Sequence, residues 1–73
     1  MFSIDAVRAD IAERLFLEPQ EVSDTANLFD EGLDSVGLLG LVEQWREQGA
    51  QVSFADLAER PTLRAWWDVL SSA

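Results

Sequence analysis

One stretch of this chain sets an acid and a hydroxyl side by side in a position to do chemistry: Gly32-Leu33-Asp34-Ser35-Val36. The glycine lets the preceding loop turn. Asp34 and Ser35 then stand at the head of an apolar-striped helix, and Val36 follows on a different face. Two readings of the pair are open. Asp and Ser are among the best helix N-cap residues, so the pair can be a plain cap. The alternative is a hydroxyl presented for chemistry. One cap needs one side chain, and capping gives no reason for apolar Val36 and Leu39 to flank the serine.

Other chemistries fail on inventory. The chain has no histidine and no cysteine, which removes Ser-His-Asp and Cys-His mechanisms and leaves no thiol or imidazole for zinc. No Gly-rich phosphate loop occurs, and the acids around Asp30 and Asp34 lack the alternating spacing of a calcium loop. Carboxylates are plentiful, but a small helical bundle of 73 residues offers little room for a water-excluding cleft. No catalytic residue and no metal site are expected.

The elements that must position Ser35 follow from periodicity. Ile4, Val7, Ile11 and Leu15, with Ala12 beside them, form one helical stripe from about Ser3 to Phe16. Ser3 is its cap, Asp5 suits its positive end, and Glu18-Pro19 should end it. Residues 19–34 form a long connection in which Val22, Leu28, Phe29 and Leu33 can pin an ordered loop to the helices, with room for a short helical turn. The second helix runs from Asp34-Ser35 to about Gln48, stops at Gly49, and turns Leu38, Leu41, Val42 and Trp45 inward. Gly37 and Gly40 interrupt it at a cost of about 1 kcal/mol each relative to alanine. Residues 52–58 read as a short helical turn with Phe54 and Leu57 on one side. Arg60-Pro61-Thr62 breaks the chain and caps a last helix carrying Leu63, Trp66, Trp67 and Leu70. The three tryptophans are expected to pack the bundle, with Trp66 or Trp67 partly wet. The expected fold is all-α, a small four-helix bundle with a short third helix and a long ordered loop between the first two.

Fourteen acidic residues against five basic ones give a net charge of −9 and a pI near 4.1. That sign argues against nucleic acid and anionic membrane surfaces, and for partners with basic surfaces. At this length, with 48% hydrophobic residues, one folded domain over residues 1–73 is expected, monomeric in isolation. No apolar run approaches a membrane span, and the N-terminus lacks a basic region followed by an apolar stretch, so a cytoplasmic location follows by default.

The stretch Leu28-Phe29-Asp30-Glu31-Gly32-Leu33-Asp34-Ser35 resembles the phosphopantetheine attachment site of carrier proteins, and the likeness covers essentially the whole chain. Ordinary acyl carriers usually follow the serine with leucine, and peptidyl carriers show Gly-Gly before the His-Ser or Asp-Ser pair. The Gly-Leu-Asp-Ser here, with Trp45-Arg46, Val52-Ser53-Phe54-Ala55-Asp56-Leu57-Ala58 and the run from Arg60 to Trp67, is similar to the aryl carrier domains of siderophore-type nonribosomal peptide synthesis. The resemblance implies an acyl-carrier-type bundle with 4′-phosphopantetheine covalently held on Ser35. It implies an aryl cargo (salicylate- or dihydroxybenzoate-like) carried as a thioester. Partners would be a phosphopantetheinyl transferase, an adenylating enzyme that activates the aryl acid, and a downstream condensation domain. Asp34 would serve transferase recognition, helix capping or both. Val36, Leu39, Gly40, Phe54 and Ala58 would form the partner surface. Glycine at 37 departs from the longer or charged residue frequent in relatives, and Gly40 is a second glycine. The alternatives are a peptidyl or acyl carrier with another cargo, and an acidic helical interaction module that never receives an arm.

Overall fold

Each helix forms where an apolar stripe meets a side-chain cap. In the computed structural model, which describes residues 3–71, the elements in chain order are α1 (Ile4–Leu15), a 3-10 turn (Pro19–Glu21), α2 (Ser35–Glu47), α3 (Phe54–Glu59) and α4 (Leu63–Ser71). No strand occurs among the described residues. The fold is the expected small carrier-type four-helix bundle with a short third helix. Ser3 accepts a hydrogen bond from the Ala6 N–H and starts α1. Ser53 and Asp56 form a reciprocal capping box on α3. Thr62 accepts from the Ala65 N–H and starts α4.

The core is continuous. Val7, Ile11 and Ala12 of α1 meet Leu38, Leu41, Val42 and Trp45 of α2, then Leu57 of α3 and Leu63, Trp66 and Leu70 of α4. At its centre the rings of Trp45 and Trp66 cross edge to face, with centroids 5.9 Å apart at 72°. Both rings are fully buried and both indole N–H groups are satisfied. Trp45 Nε1 donates to Asp10 Oδ2 at 2.9 Å, and Trp66 Nε1 donates to the Leu57 carbonyl at 2.8 Å. The partly wet tryptophan is Trp67.

The long connection is ordered by stitches at several points. Arg8 of α1 donates to the Val22 carbonyl at 2.7 Å and pairs with Asp24 at 2.6 Å. The Asp24 carbonyl in turn accepts from the Arg64 N–H of α4 at 3.0 Å, and the Leu28 N–H donates to the Pro61 carbonyl at 2.7 Å. Val22, Leu28 and Leu33 are buried as expected.

Three expectations need correction. The helix α1 ends at Leu15, not at Glu18-Pro19: Phe16 adopts a left-handed backbone (φ 59°), and the Leu17 N–H bonds back to the Ala12 carbonyl. This Schellman turn closes the helix three residues before the proline acts. Phe29 does not pin the loop. Asn27 Oδ1 accepts from the N–H groups of Phe29 and Asp30, forming a turn that leaves the ring exposed. Phe54 and Leu57 also part company: Leu57 is buried, while Phe54, the first residue of α3, stays largely outside the core.

The two glycines of α2 differ in what stands over them. A Cβ at Gly40 would fall 2.6 Å from Arg14 Nη1, the movable end of a long side chain. A Cβ at Gly37 would fall 3.0 Å from Leu33 Cδ1 and 3.3 Å from Asp34 Oδ1, a buried anchor and a helix cap. Gly40→Ala should therefore stabilise the domain by about 0.5–1 kcal/mol once Arg14 swings aside. Gly37→Ala should gain nothing or lose stability, and urea unfolding of both variants separates the two. The tryptophans give a second test. Trp66→Phe leaves the buried Leu57 carbonyl unpaired, whereas Trp45→Phe leaves Asp10, which water can reach. Trp66→Phe should cost more by about 1 kcal/mol, read by the same unfolding measurement.

Candidate functional site

The head of α2 is built by three consecutive residues with separate tasks. Leu33 is buried and anchors the end of the loop, its N–H donating to the Leu28 carbonyl at 3.0 Å. Gly32, at φ 115°, provides the turn into it. Asp34 is the N-cap: Oδ1 accepts from the Gly37 N–H at 2.7 Å and its carbonyl accepts from the Leu38 N–H at 3.0 Å. Ser35 is then the first helical residue. Its side chain is exposed and, among the described residues, its hydroxyl makes no hydrogen bond.

Asp34 has thus taken the capping role and left the serine oxygen uncommitted. The N–H groups of Ser35 and Val36 also have no partner among the described residues and point out of the helix start. Together with the dipole of this 13-residue helix they make a favourable seat for a phosphodiester on Ser35. Nothing beside Ser35 activates it. The site holds a group but does not itself perform chemistry on it. Among the described residues no cluster of acids forms a metal site.

The remaining expected site residues fall into two sets. Val36 and Leu39 on α2 are 78% and 49% exposed, unusual for aliphatic side chains on a helix that packs a core on its other face. Phe54 is exposed at the start of α3, which packs directly against α2. Gly40 and Ala58 are different. The space over Gly40 is filled by the Arg14 guanidinium from α1, and Ala58 is half-buried against the core.

Sequence reading missed Phe16 and Arg14. Phe16 looks like the end of a stripe as i+4 from Ala12, and only the left-handed turn after Leu15 carries it off that face, leaving it 96% exposed. No signal in the sequence paired Arg14 with Gly40, although an interior helical glycine is itself an invitation to look for a close approach.

Residues 5–70 match the family model described as phosphopantetheine attachment site. The chain is 46% identical over 72 residues to the isochorismatase of Bacillus subtilis (strain 168), covering 99% of this chain and 23% of that protein. It is 46% identical over 70 residues to the acyl carrier protein ScoB of Streptomyces coeruleorubidus, covering 96% of this chain and 82% of that one. It is 40% identical over 68 residues to the phenyloxazoline synthase MbtB of Mycobacterium tuberculosis (strain ATCC 25618 / H37Rv), covering 93% of this chain and 5% of the synthase. The chain therefore spans under a quarter of the isochorismatase, a small part of the synthase, and most of the free-standing carrier. No solved structure matches it significantly. An uncommitted serine at a capped helix start, on a bundle without catalytic groups, is what a non-catalytic carrier needs, and the chain belongs to the phosphopantetheine-attachment family of carrier domains, whose prosthetic group is 4′-phosphopantetheine.

Proposed function

We propose that Ser35 carries the arm and that residues 1–73 act as one carrier domain holding an aryl group for siderophore-type nonribosomal peptide synthesis. The observation that carries this reading is the division of labour at the head of α2. Asp34 satisfies the helix, so the Ser35 hydroxyl is free, exposed and next to unpaired N–H groups. The Ser35 oxygen attacks the phosphorus of coenzyme A that bears the pantetheine, the serine proton passes to the transferase, and adenosine 3′,5′-bisphosphate leaves. The bound arm supplies a thiol that holds the acid as a thioester. The likeness to a phenyloxazoline synthase, whose name carries a phenyl group, and to an isochorismatase supports an aryl rather than a fatty or aminoacyl cargo.

Val36 and Leu39 on α2, with Phe54 on α3, are assigned to the surface that meets the adenylating enzyme and then the condensation domain. Each leaves apolar area in water that a docked partner removes. The net charge of −9 supports partners with basic surroundings at the docking site. Among the described residues no helix is long and apolar enough to cross a membrane. The domain works in the cytoplasm, where coenzyme A is available.

Two experiments test the assignment. Incubated with coenzyme A and a promiscuous transferase, the domain should gain the mass of one phosphopantetheine. Ser35→Ala should fold normally and gain nothing, and modification surviving in it, at Ser53 for instance, refutes the site. Leu39→Asp should leave the helical circular dichroism and the attachment of the arm intact while slowing aryl loading about tenfold or more, because a carboxylate must be desolvated in an apolar contact. Collapse of the helical signal would instead place Leu39 in the core.

A further inference from the structure

Phe16 is in a place where its chemistry makes little sense for the fold alone. The helices α1 and α2 end in the same turn. After α2, the Ala50 N–H bonds to the Trp45 carbonyl and the Gly49 N–H to the Arg46 carbonyl, with Gly49 at φ 102°. After α1, the Leu17 N–H bonds to the Ala12 carbonyl and the Phe16 N–H to the Glu13 carbonyl, with Phe16 at φ 59°. The left-handed position falls to glycine in one case and to a bulky aromatic in the other, where the side chain strains the backbone. The ring repays none of that strain within the domain, being 96% exposed. A strained and fully solvated phenylalanine points to a contact made outside the chain.

Its surroundings say which one. Asp10 meets Trp45 and Arg14 lies over Gly40, so α1 runs antiparallel to α2 and its C-terminal end reaches the Ser35 end of that helix. Arg14 makes no ion pair among the described residues. Its guanidinium rests on Gly40, directly after Leu39 and one turn beyond Val36. An aromatic ring and an unpaired cation thereby adjoin the exposed Val36–Leu39 face. A second copy is a poor occupant, because two chains of charge −9 repel. A ring standing clear of its own domain encloses no cargo. It is a knob, and it needs a socket in a larger surface.

We propose that Phe16 and Arg14 extend the docking surface onto α1, with Phe16 entering an apolar pocket and Arg14 meeting a carboxylate on the enzyme that delivers the aryl group. This rests on the carrier reading above and assigns that enzyme an acidic, apolar contact point, opposite in sign to the basic surroundings expected for the rest of this acidic domain.

The test uses the arm-bearing domain and its aryl-activating enzyme, with Phe16→Gly and Arg14→Gln as variants. Phe16→Gly relieves strain and removes no buried area, so its melting temperature should rise by roughly 3–6 °C. Its KM as carrier substrate in aryl loading should rise about tenfold with kcat within about twofold. Arg14→Gln should raise KM by a smaller factor and hold its melting temperature. Loading by Phe16→Gly with unaltered KM overturns the proposal. So does a lowered melting temperature, which would show the ring packing on its own domain. Concentration-dependent association of the wild type that Phe16→Gly abolishes would assign the face to a second copy and overturns it equally. A wild-type domain that accepts no arm or no aryl group refutes the carrier reading itself.

Discussion

The crossing of Trp45 and Trp66 is the contact on which this domain depends. Through it every helix is tied to the others: Trp45 belongs to α2 and bonds to Asp10 of α1, while Trp66 belongs to α4 and bonds to the Leu57 carbonyl of α3. Two indoles are large enough to fill the centre of a small bundle that has no disulfide or metal to staple it. Their N–H groups would be costly there if unpaired, so the same rings that supply apolar area also dictate how the helices face one another.

From that centre the geometry of the site follows outward. Leu38, Leu41 and Val42 hold α2 against the core, and buried Leu33 fixes the residue before its cap. The loop cannot drift, because Arg8, the Asp24 carbonyl and the Leu28 N–H bind it to α1, to α4 and to the segment before α4. Asp34 is thereby delivered to the one position where its carboxylate can cap, and Ser35 to the one position where it need not. A carrier needs rigidity below its serine and freedom above it. The chain separates the two within three residues.

Much of this was legible in the chain. Apolar periodicity located all four helices, and the buried stripe of α2 was read correctly because Leu38, Leu41, Val42 and Trp45 can share only one helical face. Ser3, Ser53 and Thr62 were legible as caps, or as part of a break before a helix, because a short polar side chain ahead of an apolar stripe has few better uses. Phe29 and Phe54 were harder. A large ring in an apolar pattern looks like core, and whether it turns inward depends on the exact residue at which a turn or helix begins.

By itself the sequence determined the helical pattern, the absence of catalytic side chains and the presence of a hydroxyl beside an acid at a helix start, since these depend on residue type and on spacing along one chain. It left open whether Asp34 or Ser35 would cap. Only the tertiary structure decided that, because the choice depends on where buried Leu33 stops the loop. It also decided that α1 ends in a left-handed turn at Phe16 and that Arg14 covers Gly40. Both depend on how two helices far apart in sequence lie side by side, and no local pattern encodes a distance between them.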